Sequence, residues 1–123
     1  MKTMLKIYGL KKCSTTQKVA NWMKDQGLEL TDIIDIRDCP PSFEELKYAL
    51  EAYSGKRGKI VNSSGQLYRD LHLKDRLDEM SEDEFLTLLS EQGMLVKRPL
   101  ITDGHKASAG SNQKDLARIW SIE

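Results

Sequence analysis

A chain of 123 residues, 39% hydrophobic and 31% charged, suits one globular domain and leaves no room for a second independent core. Nineteen basic side chains balance nineteen acidic ones, which argues against broad electrostatic binding to nucleic acid or an anionic membrane. Apolar runs span only a few residues, so neither a transmembrane helix nor a signal peptide is expected, and Cys13 and Cys39 are expected in a reducing cytoplasm.

Met4 to Tyr8 alternate apolar and polar side chains and suit a first strand, punctuated by Gly9. Leu10 to Cys13 form a loop, and Ser14-Thr15-Thr16-Gln17 reads as a capping box with Ser14 as N-cap. The helix so started places Val19, Ala20, Trp22 and Met23 on one face and stops at Gly27. Leu28 to Arg37, with Ile33, Ile34 and Ile36, reads as a buried second strand parallel to the first.

Cys39-Pro40-Pro41 breaks the chain, and Ser42 with Glu45 offers a second capping box. Its helix runs through Leu46, Ala49, Leu50 and Tyr53 to Gly55. Lys56 to Gly65 reads as a loop with Ile60-Val61 as its one apolar pair. Leu67 to Met80 suits one or two short helices with Leu67, Leu71, Leu73, Leu77 and Met80 facing inward. Ser81 to Glu84 makes a third capping box, and its helix carries Phe85, Leu86, Leu88 and Leu89 to a stop at Gly93. The middle of the chain thus shows helices and no strand. Leu100 to Thr102 reads as a strand, Asp103-Gly104 as a turn, Lys106 to Ala109 as the returning strand, and Asn112 to Ile122 as a closing helix. The element order predicts an α/β layer fold with a helical middle.

Cys13 carries the chemical signal. It follows a strand and precedes a helix, whose free N–H groups and dipole favour a thiolate, and Lys11 and Lys12 stand beside it. The thiolate is the nucleophile in thiol chemistry. Thr16 stands where a Cys-x-x-Cys pair would carry its second sulfur, which leaves Cys39 as either a resolving cysteine or a loop residue. Arg98 is either a surface arginine in a Lys-Arg pair or a cation beside the thiolate. Trp22 and Trp120 read as core, His72 and His105 as solvated, and two cysteines with two scattered histidines give no metal site.

Tyr8-Gly9 with Lys12-Cys13, Cys39-Pro40-Pro41-Ser42, Gly65 through Tyr68-Arg69 to Leu71, and Lys97-Arg98-Pro99 occur in a familiar order and spacing. The chain resembles the arsenate reductase (ArsC)-like family, which also holds the Spx regulators and the glutathione-linked YffB proteins. The resemblance implies a thioredoxin-like fold with a helical insertion between the second and third strands. On that reading the thioredoxin-like part covers about 1–38 and 97–123, and the insert about 42–94, of a single domain. It also implies a cis peptide before Pro99, close to the catalytic thiol.

Residue by residue, Cys13 matches the family's nucleophile and Arg98 the arginine that assists it, with Lys12, Ser14 and Pro99 as the expected substrate contacts. No bound cofactor is implied; reduced glutathione or glutaredoxin is the expected reductant. The two further arginines that glutaredoxin-linked arsenate reductases hold around the oxyanion fall at Asn62 and near Gly110, and neither is arginine. Arsenate is therefore not the expected natural substrate. The resemblance leaves two functions: a single-cysteine thiol oxidoreductase, or an Spx-like redox-responsive regulator that binds the RNA polymerase α-subunit without gripping DNA or a membrane itself.

Overall fold

A computed structural model describes residues 4–122. In chain order it contains β1 (Lys6–Gly9), α1 (Ser14–Asp25), β2 (Ile34–Asp35), α2 (Phe43–Ala52), α3 (Gln66–Asp70), α4 (Leu73–Arg76), α5 (Glu82–Glu91), β3 (Leu100–Thr102), β4 (Ala107–Ala109) and α6 (Gln113–Trp120). Four strands form one mixed sheet in the order β2-β1-β3-β4. The pair β1/β2 is parallel, as the crossover through α1 requires, and β3 runs antiparallel to both β1 and β4.

The register determines which ends meet. Tyr8 pairs with Ile34 and with Leu100, and Leu100 pairs with Ala109. The carboxyl ends of β1, β2 and β4 therefore share one edge of the sheet with the amino end of β3. The loop carrying Cys13, which follows β1, and the Arg98-Pro99 peptide, which leads into β3, both lie at that edge.

Helices bury apolar stripes against this sheet. Ile7, Ile36, Leu46, Leu86, Leu100 and Ile101 are among the fully buried side chains. Tyr53, at the end of α2, donates its hydroxyl to Ala109 C=O at 2.8 Å and accepts from Ala109 N–H at 3.0 Å. That double bond ties the helical middle to the outermost strand. The capping boxes expected at Ser42/Glu45 and Ser81/Glu84 are both formed. Glu45 does more than cap: it accepts from the Tyr8 hydroxyl at 2.8 Å and from Lys6 Nζ at 2.9 Å. Its carboxyl is pulled up by burial, but the Ser42 N–H, Lys6 and Tyr8 together bring it below the ordinary value.

Several expectations are corrected. The first strand begins at Lys6, not Met4, which is exposed, although Leu5 makes an isolated parallel bridge to Leu30. The second strand shrinks to Ile34–Asp35, because the Thr31 hydroxyl takes the Ile7 N–H at 3.3 Å and interrupts the ladder. Ile33 and Ile34 are only half-buried; Ile36 alone of the three enters the core.

The expected loop at Ile60-Val61 is apolar interior. Both residues are buried, Val61 bridges Val96 antiparallel, and Lys97 N–H reaches Ile60 C=O at 2.9 Å. The middle of the chain thus holds one strand-like contact. Between Leu67 and Met80 only Leu73 is fully buried. The hairpin tip lies one residue later than expected: Asp103 N–H meets Lys106 C=O at 3.3 Å, leaving Gly104, at φ +93, and His105 as the turn. Trp120 is core, its indole N–H bonded to Ser108 Oγ at 2.9 Å, whereas Trp22 is half-buried beside α6.

Gly93 has a different reason from the one its position suggests. A Cβ there would lie 1.8 Å from the Ile36 carbonyl oxygen, so glycine is required by close backbone approach and not by helix termination.

Candidate thiol site

Cys13, not Ser14, is the N-cap of α1, with extended backbone at φ −81 and ψ 118. Ser14 becomes the first helical residue and is exposed. Gln17 still reaches back, but its amide donates to Lys11 C=O and not to the expected cap. The shift places sulfur where a capping oxygen ordinarily sits. The thiol makes no capping hydrogen bond as it stands; the donors around it act on the charged form.

Burial pushes the half-buried Cys13 thiol up. The Thr16 hydroxyl, the N–H groups of Thr16 and Thr15, and the charge of Arg98 outweigh burial and bring the thiol below its ordinary value. Two parts of the expectation change here. The cation acting on the sulfur is Arg98, whereas Lys11 and Lys12 are exposed. And Thr16, read from sequence only as a missing second cysteine, is fully buried and supplies the main donor.

Thr16 fits because of Gly9. A Cβ on Gly9 would fall 2.6 Å from Thr16 Cγ2 and 2.7 Å from Thr16 Oγ1, closer than any real contact. The glycine ending β1 thus lets the threonine side chain fold under the strand end and aim at the sulfur. The signal legible in sequence was Gly9 itself, which marks a close approach as readily as a turn.

Arg98 is half-buried and its Nη1 rests 3.5 Å from the Met94 sulfur. The peptide between Arg98 and Pro99 is cis, as the resemblance implied. Pro99 is buried, and its carbonyl accepts from Gly110 N–H at 3.0 Å, locking the start of β3 to the end of β4. The structure thus brings Cys13, Arg98 and Pro99 to one edge, with Lys12 and Ser14 exposed around the sulfur. Cys39 is an exposed free thiol, as Cys13 is a free, half-buried one.

Where the resemblance puts two further arginines, other groups stand. Asn62 is half-buried, with its N–H on Leu95 C=O at 2.7 Å and its amide toward Met94 C=O at 3.4 Å. Gly110 adopts φ +87, and the Lys97 chain passes 3.0 Å from where its Cβ would be.

On the other side of Cys13, the loop after β1 and the end of β2 enclose an open cleft of about 560 Å³. Leu10 and Ile33 supply its apolar lining, and Lys11, Lys12, Arg37 and Asp35 its charged lining.

The sequence pattern of the ArsC family matches residues 8–119. The chain belongs to the ArsC family. The uncharacterized protein YusI of Bacillus subtilis is 43% identical over 95% of this chain and 98% of its own. A global transcriptional regulator, Spx 2 of Oceanobacillus iheyensis, is 27% identical over 92% of this chain and 81% of its own. The crystal structure of a possible arsenate reductase from Streptococcus mutans superposes with a TM-score of 0.79 at 38% identity, covering 93% of this chain and 98% of that one. The ArsC fold is thioredoxin-like, and the four-stranded sheet with Cys13 at its edge is that fold in this chain. Among the described residues no helix is long and apolar enough to cross a membrane.

Proposed function

We propose that this ArsC-family protein is a thiol-dependent oxidoreductase that works through one nucleophile, Cys13. The observation that carries the reading is the convergence on one sulfur of a helix N-terminus, the Thr16 hydroxyl and Arg98, all favouring its charged form. The Cys13 thiolate attacks a sulfur of an oxidised partner. A Cys13–sulfur bond forms, the partner's S–S bond breaks, and the released thiolate takes a proton from solvent. Reduced glutathione, or a glutaredoxin thiol, then attacks the mixed disulfide, restores the Cys13 thiolate and carries off the bound half as a new disulfide. Arg98 and the Thr15 and Thr16 N–H groups stabilise the charge on sulfur in both halves of the cycle. Lys12 and Ser14 flank the entering group, and Pro99 holds Arg98 at the edge. Asn62 and Gly110 in place of arginines disfavour arsenate as substrate.

The test is incubation with oxidised glutathione, with mass spectrometry locating the adduct at each cysteine. Cys13 should gain a glutathionyl group faster than Cys39, release it to reduced glutathione or glutaredoxin, and lose the reaction in Cys13→Ser. A Cys13 no faster than Cys39 overturns the reading. A second reading is an Spx-like regulator on the RNA polymerase α-subunit, favoured by the Spx-named relative. Stoichiometric, oxidant-dependent binding of the purified α-subunit, with no catalytic turnover of disulfides, would replace the enzyme by the regulator.

A further inference from the structure

We infer that the cleft beside Cys13 is the subsite for one half of a net-anionic, low-molecular-weight disulfide, and that Lys11, Lys12 and Arg37 make the thiol select such disulfides over neutral and cationic ones. The inference rests on the thiol-exchange reading above and adds the substrate class.

Position comes first. β1 and β2 run parallel, so the segments after their carboxyl ends form one wall, and ligands of open α/β sheets lie outside such ends. Cys13 lines the same cleft, a space of about 560 Å³. That volume lies within the range of small-molecule sites, roughly 300–1,000 Å³.

Charge comes second. Three cations and one carboxylate line the cleft, and that carboxylate is already engaged: Asp35 Oδ1 accepts from Arg37 N–H at 2.9 Å, and Oδ2 lies 3.8 Å from Arg37 Nη2. The ammonium groups of Lys11 and Lys12 make no ion pair among the described residues. Two uncommitted cations and a tethered guanidinium suit carboxylates, while Leu10 and Ile33 suit the carbon chain that joins them to sulfur. Arg98 does not line this cleft; it acts on the sulfur from the β3 side. The nucleophile and the substrate's remote charge are thus served by different cations, so the two effects separate experimentally.

In the exchange, the Cys13 thiolate attacks the sulfur of the half held in the cleft. The Cys13–sulfur bond forms and oxidises Cys13; the S–S bond breaks and the other half leaves, reduced, as a thiolate that takes a proton from solvent.

The experiment compares the wild-type chain with the triple variant Lys11→Ser/Lys12→Ser/Arg37→Ser, and with Lys47→Ser/Lys56→Ser/Lys74→Ser, which removes the same charge elsewhere. All six side chains are exposed. The probes are dithiodipropionate (anionic), hydroxyethyl disulfide (neutral) and cystamine (cationic), together with iodoacetate and iodoacetamide as a charged and neutral alkylating pair. Exposed ion pairs contribute up to about a fewfold each. The anionic-to-neutral rate ratio should therefore fall about tenfold in the cleft variant, less than about twofold in the control, and the cationic probe should gain. An unchanged ratio, or an equal fall in the control, overturns the subsite. Should Cys13 exchange with none of the three disulfides, the thiol-exchange reading fails. The iodoacetate-to-iodoacetamide ratio then still decides the cleft: a fall only in the cleft variant supports an anion subsite, and no fall removes it.

Discussion

Replacing Thr16 by valine removes one hydroxyl and keeps a β-branched side chain of nearly the same volume at a site that is 0% exposed. Against burial, that hydroxyl is the main influence holding the Cys13 thiol below its ordinary value. A hydrogen bond to a charged group contributes ~1.5–3 kcal/mol, and the diffuse charge of a thiolate places this one at the lower end. Since ~1.4 kcal/mol is a factor of ten, the thiolate population below the titration midpoint falls about tenfold in Thr16→Val. The thiolate that remains is more basic, and with a Brønsted slope of ~0.4–0.5 it attacks about threefold faster. The net rate with iodoacetamide therefore drops about threefold on the acid side of the profile and rises about threefold on the alkaline side, so the two curves cross. Thr16→Ser, which keeps the hydroxyl, should stay near the wild-type curve. Among the described residues the other hydrogen bond of this hydroxyl is a long one, from Leu10 N–H at 3.5 Å, so stability should change by less than about 1 kcal/mol. A valine profile that superimposes on the wild type refutes the hydroxyl as a donor to the sulfur.

Arg98→Ala removes the cation acting on Cys13 and should cut alkylation at neutral pH a fewfold while shifting the melting temperature little; collapse of the fold would make the arginine structural. Gly93→Ala forces a Cβ onto the Ile36 carbonyl, 1.8 Å away, and should destabilise by at least about 3 kcal/mol in urea titration. Glu45→Gln weakens a cap, an ion pair and the Tyr8 bond at once and should cost about 1–3 kcal/mol at neutral pH. Because the folded Glu45 carboxyl lies below its ordinary 4.5, its stabilisation is present above that pH and is lost as pH falls through the folded value, so the two proteins should converge in acid. Arsenate reduction with glutathione and glutaredoxin should be slower by about two to four orders of magnitude than two arginines at Asn62 and Gly110 would allow; robust turnover by the purified chain would show that other groups hold the oxyanion.

Capping chemistry and glycine punctuation made the helices legible. Ser42, Ser81 and Asn112 start α2, α5 and α6 as their side chains demand, and Gly27 and Gly55 follow the ends of α1 and α2 with positive φ. The errors have physical causes. Cysteine is not among the favoured capping residues, so the Ser14-x-x-Gln17 signal moved the start of α1 by one residue. The sequence overextends the second strand because β-branched composition does not reveal that the Thr31 hydroxyl takes a ladder N–H. Ile60-Val61 has its partners at Val96 and Lys97, too far along the chain for any local periodicity to show. Arg98 is legible through its neighbouring proline in a family pattern, whereas the donor role of Thr16 depends on its burial under Gly9, which only the fold brings about. Thr16 lacks the second sulfur of a Cys-x-x-Cys pair; as a buried hydroxyl it is a donor.

Gly9, Cys13 and Thr16 form one device. Without a side chain at Gly9 the threonine can lie under the strand end; with the threonine there, the sulfur at the N-cap meets a hydroxyl and two N–H groups in a partly dry setting. Such neutral, buried donors keep their effect at any salt concentration, because counterions do not reach them. The exposed lysines of the neighbouring cleft are screened at the same ionic strengths. The reactivity of Cys13 toward neutral reagents should therefore be nearly independent of salt, while its preference for anionic partners fades as salt rises. That difference separates the groups that make the nucleophile from those that choose what it attacks. It also explains why three exposed cations beside a thiol can leave its titration to a buried threonine and one half-buried arginine.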